Sequence, residues 1–468
     1  MINLRPYQNN AISNLRASIG AGNKRVILQA STGAGKTIVA CEMIRLAVAK
    51  SKRVLFIAHR KEIINQSSQK LDDFGLDHGI VMASNPRKND HAVQVASIQT
   101  LMRRDKPDAD LIIIDEAHLS CSASYKSIVE HYAGATVIGL TATPIRGDGK
   151  GLGEVYGDIV SVVPMSQLIA DGHLVKPRVF APFVPNMKKV RISKGDYDAA
   201  ETAAIMDNKE ITGDIIKHWQ SHAHGRKTIV FAASVAHSKN IVTEFLAVGI
   251  SARHLDANSP AELRDQTLSD WRDGKFHVLS NMGLFIEGLD VPAASCVILA
   301  RPTKSLTIYL QAVGRVMRTH ADKTDCIVLD HAGLTLIHNL VDAPREWTLD
   351  GKEKAKRDDT PAVAVTVCEH CFCTYSKADN PDFCPECLTD HVKPAPPKVH
   401  ADGELIELTA EAMLAIKAAS KAKWVAEMKA AKTESQLIEL GISRGYKHAA
   451  GWAGHIMKQR NEWRASRG

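Results

Sequence analysis

The sequence predicts an α/β chain of two tandem parallel-sheet domains, followed by a small cysteine-bearing module and a helical C-terminal tail. Three observations carry that expectation. Short apolar runs alternate with amphipathic stretches over the first part of the chain, as in βαβ units whose strands are buried on both faces. The same alternation restarts near Lys227. After Asp330 it stops, and a charged, apolar-poor stretch from Asp350 to Pro361 leads into paired cysteines.

In the first block, residues 26–28 read as a strand, then a glycine-bearing loop, then a helix over 37–49. Residues 54–58 form a second strand and 61–71 a second helix, with further strands at 93–96, 111–114 and 137–140. In the second block, strands are expected at 228–231, 277–280, 296–300 and 326–329, and helices at 235–248 and 306–317. Residues 145–226 read as a connection with some helical elements. Pro394, Ala395, Pro396 and Pro397 make an extended linker, and the Ala-, Lys- and Glu-rich stretch 405–440 reads as helical. The expected divisions are 1–175, 176–345, a linker and four-cysteine module at 346–398, and a basic helical region at 399–468.

A length of 468 residues suits two or three domains, and 45% hydrophobic residues give each a core. Lys and Arg number 59 against 52 Asp and Glu, a net charge of +7. That mild excess permits a polyanionic partner without demanding one. No apolar stretch approaches membrane-spanning length, and the first residues, Met1 to Pro6, lack the apolar core of a secretion signal. A cytosolic, membrane-free protein is expected. Nine cysteines in such a chain point to a metal or free thiols rather than disulfides.

Ala30, Ser31, Thr32, Gly33, Ala34, Gly35, Lys36 and Thr37 follow a strand and open a helix, the context a Walker A loop requires. The glycines let backbone N–H groups turn toward phosphate, and the helix N-terminus adds partial positive charge. Lys36 is placed to reach the β- and γ-phosphates of ATP, and Thr37 to ligate Mg²⁺. Ala30 stands where the pattern usually has glycine. Residues 111–114 are an apolar strand ending in Asp115 and Glu116. Adjacent carboxylates there fit a Walker B site, with Asp115 on Mg²⁺ and Glu116 activating the attacking water. The plainer reading, an acidic helix start, loses because both motifs sit at carboxyl ends of strands of one sheet.

From these motifs onward the chain resembles the superfamily 2 helicases, in order, over about residues 4–330. Leu4, Arg5, Pro6, Tyr7 and Gln8 resemble the Q motif, whose glutamine reads adenine while neighbouring side chains such as Arg5 meet the base. His59 and Arg60 end a stretch similar to motif Ia, and Ser97 and Gln99 lie in the next strand-end motif; the resemblance puts all four on nucleic acid. Asp115, Glu116, Ala117 and His118 spell the DEAH form of motif II. Thr141 and Thr143 belong to motif III, which with His118 couples the nucleotide to the bound strand. Residues 229–232 resemble motif IV. Gly288 and Asp290 belong to motif V, with Asp290 on the ribose, although Ile286 replaces the usual threonine. Gln311, Arg315 and Arg318 lie in motif VI. There the resemblance makes the two arginines fingers at the γ-phosphate and puts Gln311 on that phosphate or the water. The implied fold is a pair of RecA-like domains with ATP between them. Residues 231–237, 301–306, 323–330 and 445–453 bring the chain nearest to RadD-like repair helicases and related phage and prophage helicases. That implies a bacterial cytosol or nucleoid, or a host's cytoplasm for a phage-encoded chain.

Cys368, Cys371, Cys384 and Cys387 form two CxxC pairs separated by 12 residues, a spacing that closes a tetrahedral Zn²⁺ site in a small ribbon. Reduced thiols and an iron–sulfur cluster are the alternatives, and Cys373 and His370 are spare ligands. Cys41, Cys121, Cys296 and Cys326 read as core. The tail from Ser443 interleaves Arg444, Lys447, Lys458, Arg460, Arg464 and Arg467 with Tyr446, Trp452 and Trp463. It suits either phosphates and stacked bases or docking on the body of the protein.

The expected activity is ATP hydrolysis driving movement on, or unwinding of, DNA in repair, recombination or phage replication. The expected substrate is single-stranded, forked or branched DNA, with RNA left open. A single-strand-binding, recombination or replication protein is the candidate partner. A duplex translocase without strand separation and a non-hydrolytic ATP-gated clamp are the competing readings.

Overall fold

Seven strands build the first sheet. They are β1 (Arg25–Gln29), β2 (Val54–Ala58), β3 (Gly79–Val81), β4 (Val93–Ser97), β5 (Leu111–Asp115), β6 (Thr136–Thr141) and β7 (Asp158–Ser161), in the order β3-β4-β2-β5-β6-β1-β7. Every pairing is parallel. The computed structural model describes residues 4–351 except 84, 86, 88, 89, 182–184, 194, 208 and 286–290. It also describes 365–367, 374–376, 431, 433–443, 451, 453–454 and 456–457.

The strands are apolar without alternation because each side of the sheet is covered. Val26, Leu28, Val54, Phe56 and Ile113 face one layer with side chains from the helices Pro6–Gly20, Lys36–Val48 and Lys61–Asp73. Ile27, Leu55, Ile57, Ile112 and Ile114 face the other, against Tyr125, Ile128 and Val129 of the helix Ala123–His131. Burying one such aliphatic side chain stabilises the fold by roughly 1.5–3 kcal/mol.

The second sheet follows the same rule. It contains β8 (Lys176–Phe180) and, beyond a short antiparallel hairpin of β9 (Ile192–Ser193) and β10 (Asp196–Tyr197), five more strands. These are β11 (Thr228–Ala232), β12 (Ala252–Leu255), β13 (Val278–Asn281), β14 (Cys296–Ala300) and β15 (Asp325–Asp330). The order is β12-β13-β11-β14-β15-β8, all parallel. The helices Lys209–His222 and Val235–Ala247 cover one face, and Ala261–Arg272 and Leu306–Val316 the other. The core on that second face continues into the first domain through Tyr7, Ala30 and Ala34.

The chain crosses between the domains twice. It leaves the first by way of the helix Met165–Ala170 and residues 171–175, which lead into β8. It returns after β15: the Leu349 carbonyl accepts from Gly153 N at 2.9 Å, and Gly351 bridges Lys150. A Cβ on Gly151 would lie 1.8 Å from that carbonyl, so the return path requires glycine there. The stretch 145–226, expected as a connection, also supplies an edge strand to each sheet, β7 and β8.

Beyond residue 351, β16 (Val365–Val367) pairs antiparallel with β17 (Thr374–Ser376), and a helix spans Glu434–Ser443. Cys368, Cys371, Cys384, Cys387, Gly288 and Asp290 lie outside the described residues, as do most of the basic and aromatic tail residues. Cys41, Cys296 and Cys326 are buried, whereas Cys121 is half-buried rather than core. Among the described residues no helix is long and apolar enough to cross a membrane.

Candidate active site

The loop between β1 and the helix Lys36–Val48 is shaped by two glycines. Gly33 and Gly35 have φ of +88° and +80°, the left-handed region where side chains are strained. Space forbids a side chain as well: a Cβ on Gly33 would lie 2.7 Å from Leu174 Cδ2, and one on Gly35 2.6 Å from Gln8 Nε2. The loop is tied to β6 by Ala30 N donating to the Thr141 carbonyl at 3.0 Å. It is tied to the first helix by Tyr7 Oη and Gln8 Nε2, which donate to the Ala34 carbonyl at 3.1 and 3.2 Å. Arg5 Nη1 donates to Tyr7 Oη at 3.1 Å, and its own N–H donates to Gln8 Oε1 at 3.0 Å. The Q-motif residues therefore form one unit with the loop.

Lys36 Nζ donates to the Ala30 carbonyl at 3.0 Å. Burial lowers its pKa against the opposing pull of Glu116 and Asp115, while the charges of Arg315 and Arg318 lower it further. Thr37 is the next residue of that helix. Asp115 ends β5, and burial together with the neighbouring Glu116 charge raises its carboxyl, with Lys36 opposing. Glu116 takes φ 51° and ψ 53°, a left-handed conformation costing a non-glycine residue on the order of 1 kcal/mol. Its carboxylate faces His118 Nδ1 at 3.2 Å. Burial pushes Glu116 up, but the His118 hydrogen bond and charge, with Lys36 and Arg315, outweigh it and hold the carboxyl below its usual range.

The helix Leu306–Val316 closes the site from the second domain. A Cβ on Gly314 would lie 2.6 Å from Thr32 Cβ and Cγ2, so glycine permits this approach. Gln311 is 2% exposed, and its Nε2 has no hydrogen-bond partner among the described residues. A buried, unsatisfied amide costs about 1–3 kcal/mol, and a phosphate oxygen would satisfy it. Left-handed glycines, a half-buried lysine and a carboxylate pair fit ATP and Mg²⁺ in their chemistry. Among the described residues, no group of three or more His, Cys, Asp or Glu could hold a metal ion.

Motif III joins the two halves. Thr141 Oγ1 donates to the Thr143 carbonyl at 2.9 Å. The hydroxyls of Thr143 and Thr307 are hydrogen-bonded at 2.8 Å across the cleft. Of the four residues expected on nucleic acid, Gln99 is exposed, His59 and Arg60 are half-buried and Ser97 is buried. Ser97 Oγ donates to Gln99 Oε1 at 2.6 Å, and Gln99 Nε2 to the His59 carbonyl at 3.1 Å. Arg60 Nη1 reaches the Leu284 carbonyl of the second domain at 3.4 Å. His59 also lies near enough to Asp115 for its charge to act on that carboxyl.

Sequence reasoning missed Leu174, which covers Gly33 and bridges Arg318, His173, whose ring lies 5.5 Å from that of Tyr7, and Thr307. The first two sit in the interdomain link, which carries no motif. Thr307 shared the predicted helix of Gln311 and could have been found from it.

Comparison with known proteins agrees with this geometry. Residues 1–146 match the family model of the type III restriction enzyme res subunit, and 208–320 that of the helicase conserved C-terminal domain. A 51.5 kDa protein of a Lactococcus phage is 32% identical, over 86% of each chain. The Saccharomyces cerevisiae helicase-family protein IRC3 is 31% identical over 73% of this chain and 53% of its own length. The ATP-dependent DNA helicase uvsW of enterobacteria phage T4 is 25% identical over 66% of each chain. In fold, an HsdR-type type I restriction subunit from Vibrio vulnificus superposes with a TM-score of 0.56 at 21% identity, covering 75% of this chain and 67% of that one. With the motifs in order and meeting across one cleft between two parallel-sheet domains, the chain belongs to superfamily 2 of the helicases.

Proposed function

We propose that this chain is an ATP-dependent DNA helicase or translocase whose hydrolytic site is the interdomain cleft. The observation that carries the reading is that Lys36, the Asp115–Glu116 pair and, from the second domain, Arg315 lie close enough for their charges to act on one another, with the buried, unpartnered Gln311 on the same helix as Arg315. The backbone of residues 32–35 and Lys36 hold the triphosphate, while Arg5, Gln8 and, from the second domain, Gly288 and Asp290 hold the base and ribose. Thr37 and Asp115 would hold Mg²⁺, which would offset the negative charge of the phosphate oxygens. Glu116, kept ionised by His118 and Lys36, accepts the proton of the attacking water. Gln311 orients that water or the γ-phosphate, and Arg315 and Arg318 offset the charge that grows on the phosphoryl group. The Thr143–Thr307 hydrogen bond passes domain closure to motif III, and reopening after hydrolysis advances the strand.

On this reading DNA, single-stranded or forked, lies against His59, Arg60, Ser97 and Gln99, and binding is salt-sensitive and largely sequence-independent. The names of uvsW and of the restriction subunits support DNA over RNA. Cys368, Cys371, Cys384 and Cys387 hold Zn²⁺ in a ribbon within 346–398. Their spacing supports this, as does the pairing of β16 with β17 on either side of residues 368–373. The basic region 399–468 adds nucleic-acid contacts or recruits a replication or recombination protein. A duplex translocase is the second reading, favoured by the likeness to the HsdR-type fold.

The test is the ATPase rate without nucleic acid, then with single-stranded, duplex and forked DNA and single-stranded RNA, followed by strand displacement on the fork. DNA-specific stimulation with displacement supports the helicase, and stimulation without displacement the translocase. Stimulation by RNA alone, or by nothing, removes the DNA motor.

A further inference from the structure

The segment after Arg318 contains a lysine, Lys323, to which none of the motor motifs assigns a role. Lys323 Nζ donates to the carbonyls of Ala294 at 2.6 Å, Arg318 at 2.8 Å and Pro292 at 3.1 Å. An ammonium has three N–H donors, and each meets one of these carbonyls. The acceptors come from two separate places. Pro292 and Ala294 follow closely on the motif V stretch, and Arg318 follows the motif VI helix. Arg318 is gripped from its other side too. It bridges Leu174, and the adjacent Met317 carbonyl accepts from Val175 N at 2.8 Å. Its Cγ lies 3.9 Å from where a Cβ on Gly33 would stand, so it packs over the phosphate loop.

We propose that Lys323 is a positioning residue for the Arg318 finger, clamping the exit of motif V to the Arg318 backbone so that the guanidinium meets the nucleotide at a fixed depth. The inference rests on reading Arg318 as a finger. It goes beyond that reading by naming what fixes the finger and when the grip fails.

Burial lowers the Lys323 pKa to about 8, with Arg318 and Arg226 adding to the effect and Cys326 and Asp325 opposing it. Neither Cys326 nor Asp325 changes its protonation in that range. Burial pushes the Cys326 thiol up to about 12. Asp325 is raised by burial but held below its usual range by Arg226 at 2.6 Å and Arg178 at 3.2 Å. Above pH 8 the neutral amine has two donors for three carbonyls, and one arm of the clamp is released. Turnover should therefore have an alkaline limb set by Lys323.

The experiment compares full-length wild type, Lys323→Met and Lys323→Arg in DNA-stimulated ATPase from pH 6.5 to 9.5, with a thermal melt at each pH. Lys323→Met should lower kcat roughly 10- to 100-fold, change KM for ATP less than about twofold, and lose the limb near pH 8. Lys323→Arg keeps its charge throughout, so it should recover most of the rate and carry it past pH 9. Unchanged kcat in Lys323→Met, persistence of its limb near pH 8, or an unmoved limb in Lys323→Arg overturns the clamp. If Lys323→Met does not fold, the position of the limb in Lys323→Arg decides alone. A wild type without ATPase sinks the finger reading and the clamp together, whereas an active wild type with an unaltered Lys323→Met sinks the clamp only.

Discussion

The hydroxyl pair between Thr143 and Thr307 gives a test of domain coupling with a predicted asymmetry. The two oxygens are 2.8 Å apart, on opposite sides of the cleft. Thr143 is 1% exposed and Thr307 8%. Thr307→Val leaves the Thr143 hydroxyl facing a methyl group in a site without solvent, a cost of about 1–3 kcal/mol charged to the closed state. Thr143→Val leaves the Thr307 hydroxyl in a somewhat less completely buried site, 8% against 1% exposed, and should cost less. The double variant removes both polar groups with little change of shape and should cost less than Thr307→Val alone. At about 2 kcal/mol, Thr307→Val lowers kcat/KM for ATP roughly thirtyfold. The assay is DNA-stimulated ATPase of the four chains as a double-mutant cycle. Strictly additive losses in the double variant would refute the coupling, and a larger loss in Thr143→Val than in Thr307→Val would refute the burial argument.

Lys36→Ala should abolish turnover while leaving the melting temperature within a few degrees, because the side chain is half-buried and gives one hydrogen bond, to Ala30; ATPase and circular dichroism check the two halves. Cys384→Ser should lower the zinc content and solubility of the purified chain, read by metal analysis, and a zinc content equal to wild type would remove the ribbon assignment. Acid should destabilise the second domain. Burial lowers His218 and His237 to about 4 and His331 further below its usual value. The unfolded chain takes up protons below about pH 6.5 while the folded one does not, so stability is full above pH 7 and falls as pH drops toward 4. At pH 5 the loss is about 2 kcal/mol per histidine. His218→Phe, which replaces a ring stacked 5.1 Å from His331, should flatten the fall of melting temperature with pH, and an unchanged slope would count against this account.

The strands legible in the sequence were those buried on both faces. β2 and β14 were read to the residue because Val54–Ala58 and Cys296–Ala300 are wholly apolar. β7 and β8 were not, because edge strands need fewer apolar positions. Asp158–Ser161 keeps one buried residue in four, and Lys176–Phe180 carries a lysine, a proline and an arginine. The three-residue β3 has too little length to signal anything. At the site, motif residues were legible because phosphate chemistry restricts residue type. What positions them was not: Leu174 is chosen by the space over Gly33, and Lys323 by three backbone carbonyls that no side-chain pattern records.

Gly33 has the interdomain link on one side, through Leu174, and Arg318 beyond it, while Gly314 brings the motif VI helix onto Thr32. The loop that holds phosphate is thus touched by both elements that must move when the domains part. On the proposed reading, a phosphate on that loop would engage Lys36 and alter the surface on which Leu174, Arg318 and Gly314 rest. On that reading nucleotide state and domain angle would meet at one contact rather than be relayed over distance, and coupling of this kind needs no long pathway. It follows that enlarging Leu174 should disturb domain closure and ATP binding together. A Leu174→Phe chain that lost one and kept the other, read by nucleotide affinity and by a fluorescence-transfer pair across the cleft, would separate what the structure joins.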